Sequence, residues 1–88
     1  MKIEYRKRFL NELSKLPLNQ RKVIEEFVFR ELLQLRSLEE SGKIERMKGY
    51  PNYFKIRFGD YRVGLHTENE VVIIERVLHR KEIYRYFP

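Results

Sequence analysis

The spacing of apolar residues in this chain changes once, at Ile44, from helical to alternate. That change sets the order of elements: helices in the first half, strands in the second, with one apolar face on each. Only a short opening segment departs from it, where Ile3 and Tyr5 flank Glu4 as in a strand. Phe9, Leu10, Leu13 and Leu16 follow at helical spacing, with Arg6, Lys7, Glu12 and Lys15 off the stripe. Pro17 ends this helix, because the residue before a proline is pushed out of the α region. A second helix is expected from about Asn19 to Glu40, its stripe formed by Ile24, Phe27, Val28, Leu32, Leu35 and Leu38. Gly42 then serves as its C′ residue. So short a corner between the two makes them an antiparallel hairpin.

Strands are expected at about 52–58, 61–67 and 70–77. Gly59-Asp60 reads as a two-residue turn with glycine first, the type II′ preference. Glu68-Asn69 reads as the second turn, so the three strands form an antiparallel meander. Phe54, Ile56 and Phe58 share one face with Tyr61, Val63 and Leu65, and the helical hairpin covers that face. The closing HRKEIYRYFP is a short amphipathic helical turn or tail. The expected fold is an α+β domain in the order β-α-α-β-β-β, spanning 1–88. Val23, Phe29 and Leu33 widen the second helix beyond what one sheet face absorbs. They either mark a partner surface or lie under the loop at 41–52.

Eighty-eight residues hold one core, and at this size roughly two-thirds or less of the unfolded surface is buried. With no cysteine, neither disulfides nor thiolate metal sites hold the fold. The longest apolar run, Val71–Ile74, is too short to cross a membrane, and MKIEYRKRFL lacks the apolar stretch of a signal peptide. A cytoplasmic chain is expected. Lysine and arginine number 19 against 13 acids, giving +6. The part after Gly42 has ten bases and six acids, or +4, so the strands carry most of the excess. Such a surface attracts polyanions, of which nucleic acid is the commonest.

The face opposite the core gathers these bases. Lys55 and Arg57 lie on it, and Arg62, Gly64 and His66 continue it across the turn, with no acid on the first of these strands before Asp60. Lys55 and Arg62 are expected as cross-strand neighbours, with Gly64 leaving room for a phosphodiester. His79, Arg80, Lys81 and Tyr84 follow the last strand. Like charges placed opposite each other destabilise a sheet by about 0.2–1 kcal/mol per pair, so such a cluster is either kept for a ligand or is the basic surface of the only free sheet face. For RNA cleavage, a lysine becomes a base if neighbouring cations disfavour its ammonium form, which fits Lys55 beside Arg57 and Arg62. Arginines stay charged and support phosphorane charge in bidentate fashion. Tyr84 suits stacking on an unpaired base or bonding a phosphate. His79, next to Arg80, is a candidate proton donor. Two histidines without cysteine do not make up a zinc site. The four scattered glycines form no phosphate loop, and Ser14 and Ser37 lie inside expected helices.

Three segments, MKIEYRKRFLNELSKLP, RMKGYPNYFKIRFGDYRVGLH and VIIERVLHRKEIYRYF, resemble the RelE/ParE toxin superfamily over nearly the whole chain. Lys48-Gly49 followed by Tyr53 through Arg62 carries the most specific match, and His79 to Tyr84 the second. On its RelE branch the resemblance implies metal-independent, ribosome-dependent cleavage of mRNA in the decoding site, with no cofactor. It implies Lys55 as base, Arg62 as support of the phosphate, Arg80 as phosphate support or proton donor to the leaving group, and Tyr84 as the stacking residue. Lys48, Arg57, His79 and Lys81 would bind substrate. Arg57 stands where some members have lysine, and the interval from Arg80 to Tyr84 is shorter than in some. The implied partners are an antitoxin, the ribosome and mRNA. Val77-Leu78-His79 also resembles the ParE branch, which implies DNA gyrase as the alternative partner; an inactive, diverged binding module is the remaining alternative.

Overall fold

Pro17 stands between two helices in the computed structural model, which describes all residues from Met1 to Pro88. Strand β1 (Lys2–Tyr5) leads into helix α1 (Lys7–Ser14), and Pro17, extended at φ −54°, ψ 143°, opens helix α2 (Leu18–Glu26). Four strands follow: β2 (Ile44–Met47), β3 (Tyr50–Phe58), β4 (Tyr61–Glu68) and β5 (Val71–His79). A short helix, α3 (Ile83–Tyr86), ends the chain. All strands join one sheet in the order β1-β5-β4-β3-β2, with β1 parallel to β5 and the other pairs antiparallel. The expected α+β order therefore holds, with one strand more than the sequence indicated.

The helices lie on one face. Phe9 and Leu13 on α1, Ile24 on α2, and Phe27, Val28 and Leu32 beyond it are buried against Phe54, Ile56, Phe58, Val63, Leu65 and Ile74. Burying each such side chain contributes about 1.5–3 kcal/mol. Leu10, placed on the stripe by spacing, is 41% exposed instead. Phe29 packs under Tyr5, with ring centroids 5.0 Å apart, whereas Val23 and Leu33 remain on the surface.

The second helix does not run to Glu40. It passes into a π turn at Phe27–Glu31 and a 3₁₀ turn at Leu32–Gln34, and Leu35 is extended. An unbroken helix over 19–40 would be about 33 Å long. The longest dimension of the whole domain is 31 Å. The chain bends back instead, and Leu38 returns to the core. The π turn has its own support: the Tyr5 hydroxyl donates to the Val28 carbonyl at 2.6 Å.

The turns are specific. Between β3 and β4 only Gly59 takes a positive φ, +57°, as type II′ requires. The second turn is Asn69-Glu70, one residue later than Glu68-Asn69; both residues have positive φ, 50° and 65°, the type I′ pattern. Along β5 the register slips at Glu75, since Gly64 faces Arg76 while Leu65 faces Ile74. Past the end of β1, the Glu12 carboxylate of α1 accepts the Val77 N–H at 3.1 Å and pairs bidentately with Arg76. It thus satisfies backbone that β1 is too short to reach.

The face opposite the helices is not bare. Ile83 and Phe87 pack there on Met47, Tyr53 and Leu78 as a second, smaller core. The Phe87 ring fills the space over Gly64, where a Cβ would lie 2.6 Å from it. Gly64 thus makes room for the chain's own C-terminal segment, not for a phosphodiester as expected. No helix is long and apolar enough to cross a membrane.

Candidate active site

The residues left uncovered on this face line a cleft of about 410 Å³: Glu45, Lys55, Arg57, Arg62, Arg80, Lys81 and Tyr84. Strand register places the first four. Arg57 is directly opposite Arg62, and Lys55 lies between Glu45 of β2 and Gly64 of β4. The Lys55–Arg62 pairing expected from the sequence is therefore diagonal, with Arg57 taking the direct position.

Each cation is fixed differently. Arg62 is only 8% exposed, and its Nη1 donates to the carbonyls of Gly59 at 2.7 Å and Tyr61 at 3.0 Å. These bonds leave Nε and Nη2 for a ligand, and no carboxylate lies within ion-pair distance. A buried guanidinium supported by carbonyls alone is a strong site for an incoming anion. Arg80 is anchored by its backbone, whose N–H donates to the Asp60 carbonyl at 2.7 Å. Its side chain is more than half exposed, with Nε 3.7 Å from the Asp60 carboxylate. Lys55 donates from Nζ to the Tyr84 hydroxyl at 2.5 Å, and that ammonium lies 4.9 Å from the Tyr84 ring centre. Tyr84 rides on α3, whose neighbours Ile83 and Phe87 hold it over the sheet.

Of the residues singled out in the sequence, Lys55, Arg57, Arg62, Arg80, Lys81 and Tyr84 converge here. Lys48 does not line the cleft; it sits on the β2–β3 turn at the rim of an adjoining hollow that shares Lys55 and Tyr84 with it. His79 lies opposite Tyr61 in the ladder, its ring edge-on to that tyrosine at 5.6 Å, and its Nδ1 accepts the Lys81 N–H at 3.1 Å. His66 is buried, stacked on Tyr53 at 5.1 Å. Its Nδ1 is 2.9 Å from the Glu75 carboxylate, though out of line for a full hydrogen bond. It fits the ordinary structural role.

Sequence reasoning passed over Glu45, the one carboxylate lining the cleft. It lay in the presumed loop at 41–52, yet the alternation already begins at Ile44, which faces the core as Glu45 faces Lys55. No group of three or more His, Asp or Glu side chains gathers to hold a metal ion. Five cations, one carboxylate and a phenol thus converge on one hollow. They can bind a phosphodiester, neutralise charge that develops on it and move protons beside it.

Comparison with known proteins places the chain in a family. Residues 3–84 match the family model described as the ParE toxin of the type II toxin–antitoxin system parDE. The chain is 40% identical over 89 residues to Toxin RelE3 of Methanocaldococcus jannaschii, with both chains covered in full. It superposes on the toxin of the RelB-RelE antitoxin–toxin complex from Methanococcus jannaschii with a TM-score of 0.79. That match is 39% identical and covers 97% of this chain and 99% of the other. The RelBE2 toxin–antitoxin complex of Mycobacterium tuberculosis gives a TM-score of 0.65 at 27% identity, over 90% of this chain and 96% of the other. Family model, sequence identity and fold agree, and the chain belongs to the RelE/ParE superfamily of type II toxins, on its RelE side.

Proposed function

We propose that this toxin is an endoribonuclease that cuts mRNA in the decoding site of the ribosome, in the cytoplasm and without a metal. The observation that carries the reading is the buried, uncountered Arg62 facing Arg57 in a cleft that Lys55, Arg80 and Lys81 complete. A scissile phosphate seats against the three arginines. The ribose 2′-oxygen attacks phosphorus, its proton passing to the free-amine form of Lys55, which Glu45 faces across the β2–β3 ladder. The arginines stabilise charge on the phosphorane. The P–O5′ bond then breaks, and the leaving oxygen takes a proton from the Lys81 ammonium, since arginines do not release theirs. The products are a 2′,3′-cyclic phosphate and a 5′-hydroxyl. Tyr84 holds Lys55 in place through its hydroxyl. Lys48 flanks the substrate path, whereas His79, on the helix side of the sheet, only braces the Lys81 N–H.

A cognate antitoxin neutralises the toxin, as the relatives crystallised as RelB-RelE and RelBE2 complexes suggest. Val23 and Leu33, exposed at 58% and 46%, supply apolar area for it away from the cleft.

The test is 5′-end mapping of mRNA in a translating extract, with the wild type and with the Lys55→Ala and Arg80→Ala variants. New ends inside ribosome-held codons, absent without ribosomes and lost in both variants, are expected. Intact mRNA with the wild type overturns the proposal and directs attention to DNA gyrase supercoiling.

A further inference from the structure

Beside the cleft, divided from it only by Lys55 and Tyr84, a second hollow of about 260 Å³ opens at the β2–β3 turn. Met47, Tyr50 and Pro88 form much of its wall, Lys48 stands at its rim, and no Asp or Glu side chain lines it. Tyr50 is the exposed ring here, at 48%. It is also held. Gly49, at φ +84°, makes the turn that presents it, and Tyr53 meets it edge-on at 6.0 Å. Tyr53 is in turn fixed by stacking on His66 and by the edge of Phe87 at 5.7 Å. The hydroxyl of Tyr84, on the other side, is already engaged by the Lys55 ammonium. Tyr50 therefore offers a preorganised flat surface with no cation on it.

We propose that this hollow is a nucleobase subsite. It takes the unpaired base of the nucleotide adjoining the phosphate held in the cleft, stacked on Tyr50, while Lys48 contacts that nucleotide's outer phosphate. The inference rests on the RNA reading of the cleft and names a subsite for that substrate. An aromatic hollow without acidic side chains, sharing a wall with an anion cleft, matches a ligand that alternates flat rings with single negative charges. Stacking on an exposed tyrosine accepts any base, which suits a site that grips by π surface and charge more than by hydrogen bonds.

The experiment is direct binding of a 2′-O-methyl trinucleotide, which cannot be cleaved, carrying fluorescent 2-aminopurine at each position in turn. With the wild type, one position should be quenched on saturation. Tyr50→Ala and Tyr50→Leu should lose that quench and weaken binding roughly tenfold or more, whereas Tyr50→Phe should keep both. Lys48→Gln should weaken binding and flatten its salt dependence without removing the quench. If Tyr50→Ala binds and quenches like the wild type while Arg57→Gln binds less, the subsite is overturned and the cleft reading stands. If the wild type does not bind the trinucleotide even at low salt, both fail together.

Discussion

Arg57 and Arg62 face each other directly across the β3–β4 ladder, on the side of the sheet away from the helices, and the second of them is nearly buried. Such a pair works against the fold. Replacing Arg57, the exposed member, with Gln should stabilise the domain by about 0.2–1 kcal/mol in urea unfolding at low salt. The gain should shrink as salt rises. The same variant should cleave more slowly on ribosomes. A loss of stability in Arg57→Gln would show that the guanidinium has a structural partner after all.

Tyr84 tethers Lys55 with its hydroxyl, and its ring lines the cleft beside it. Tyr84→Phe removes the tether and keeps the ring. One hydrogen bond of about 1 kcal/mol corresponds to a rate loss of several-fold, so Tyr84→Phe should lie between the wild type and Tyr84→Ala in single-turnover cleavage. Because the residue is 60% exposed, both variants should melt within a few degrees of the wild type. Equal rates for Tyr84→Phe and Tyr84→Ala would assign the whole effect to the hydroxyl.

Gly64 is small because Phe87 occupies the space above it. Gly64→Ala should cost about 1–3 kcal/mol through overpacking. It should also displace the C-terminal segment, and with it the Tyr84 contact to Lys55. Limited proteolysis near the C-terminus should then quicken, and Phe87→Leu in the same chain should restore part of the loss. An unchanged proteolysis pattern would mean that the ring moves aside at no cost.

Burial raises the pKa of Tyr5 above its ordinary value near 10. The neutral phenol is thus favoured in the folded state, where it donates to the Val28 carbonyl. Its contribution is fully present below about pH 10, where the unfolded chain's tyrosine is still protonated, and is lost as pH climbs through the raised value. Thermal melts between pH 8 and 11 should fall at the alkaline end. Tyr5→Phe should be less stable at pH 8 by about 0.5–1.5 kcal/mol but should fall less steeply. Parallel curves for the two proteins would remove Tyr5 from the alkaline transition.

Residues whose neighbours are close in sequence were legible before the structure. Alternation around Gly59-Asp60 places Phe54, Ile56 and Phe58 on the core and Lys55, Arg57 and Arg62 together, because a tight turn fixes register. Four features were not legible, each for its own physical reason. No proline or glycine marks the break at Leu35; the size of the domain imposes it. Strand β2 has four residues, too few for alternation to stand out, and Glu45 went unnoticed with it. The slip at Glu75 reverses parity along β5. Counting by twos from Val72 and Ile74 puts His79 on the cleft side, whereas after the slip it lies opposite Tyr61. The C-terminal tail reads as amphipathic, but nothing in its own sequence names the glycine it covers.

The small cluster of Met47, Ile83 and Phe87 has a kinetic meaning as well as a structural one. It is separate from the main core and rests on far fewer side chains. Segments anchored in this way open with a smaller free energy than the domain as a whole. Amide hydrogen exchange should therefore be faster in Ile83–Phe87 than in β4 and β5. The fraction of molecules with a complete site is then set by that local opening. Warming would disarm the toxin through its last few residues while the sheet beneath them is still intact.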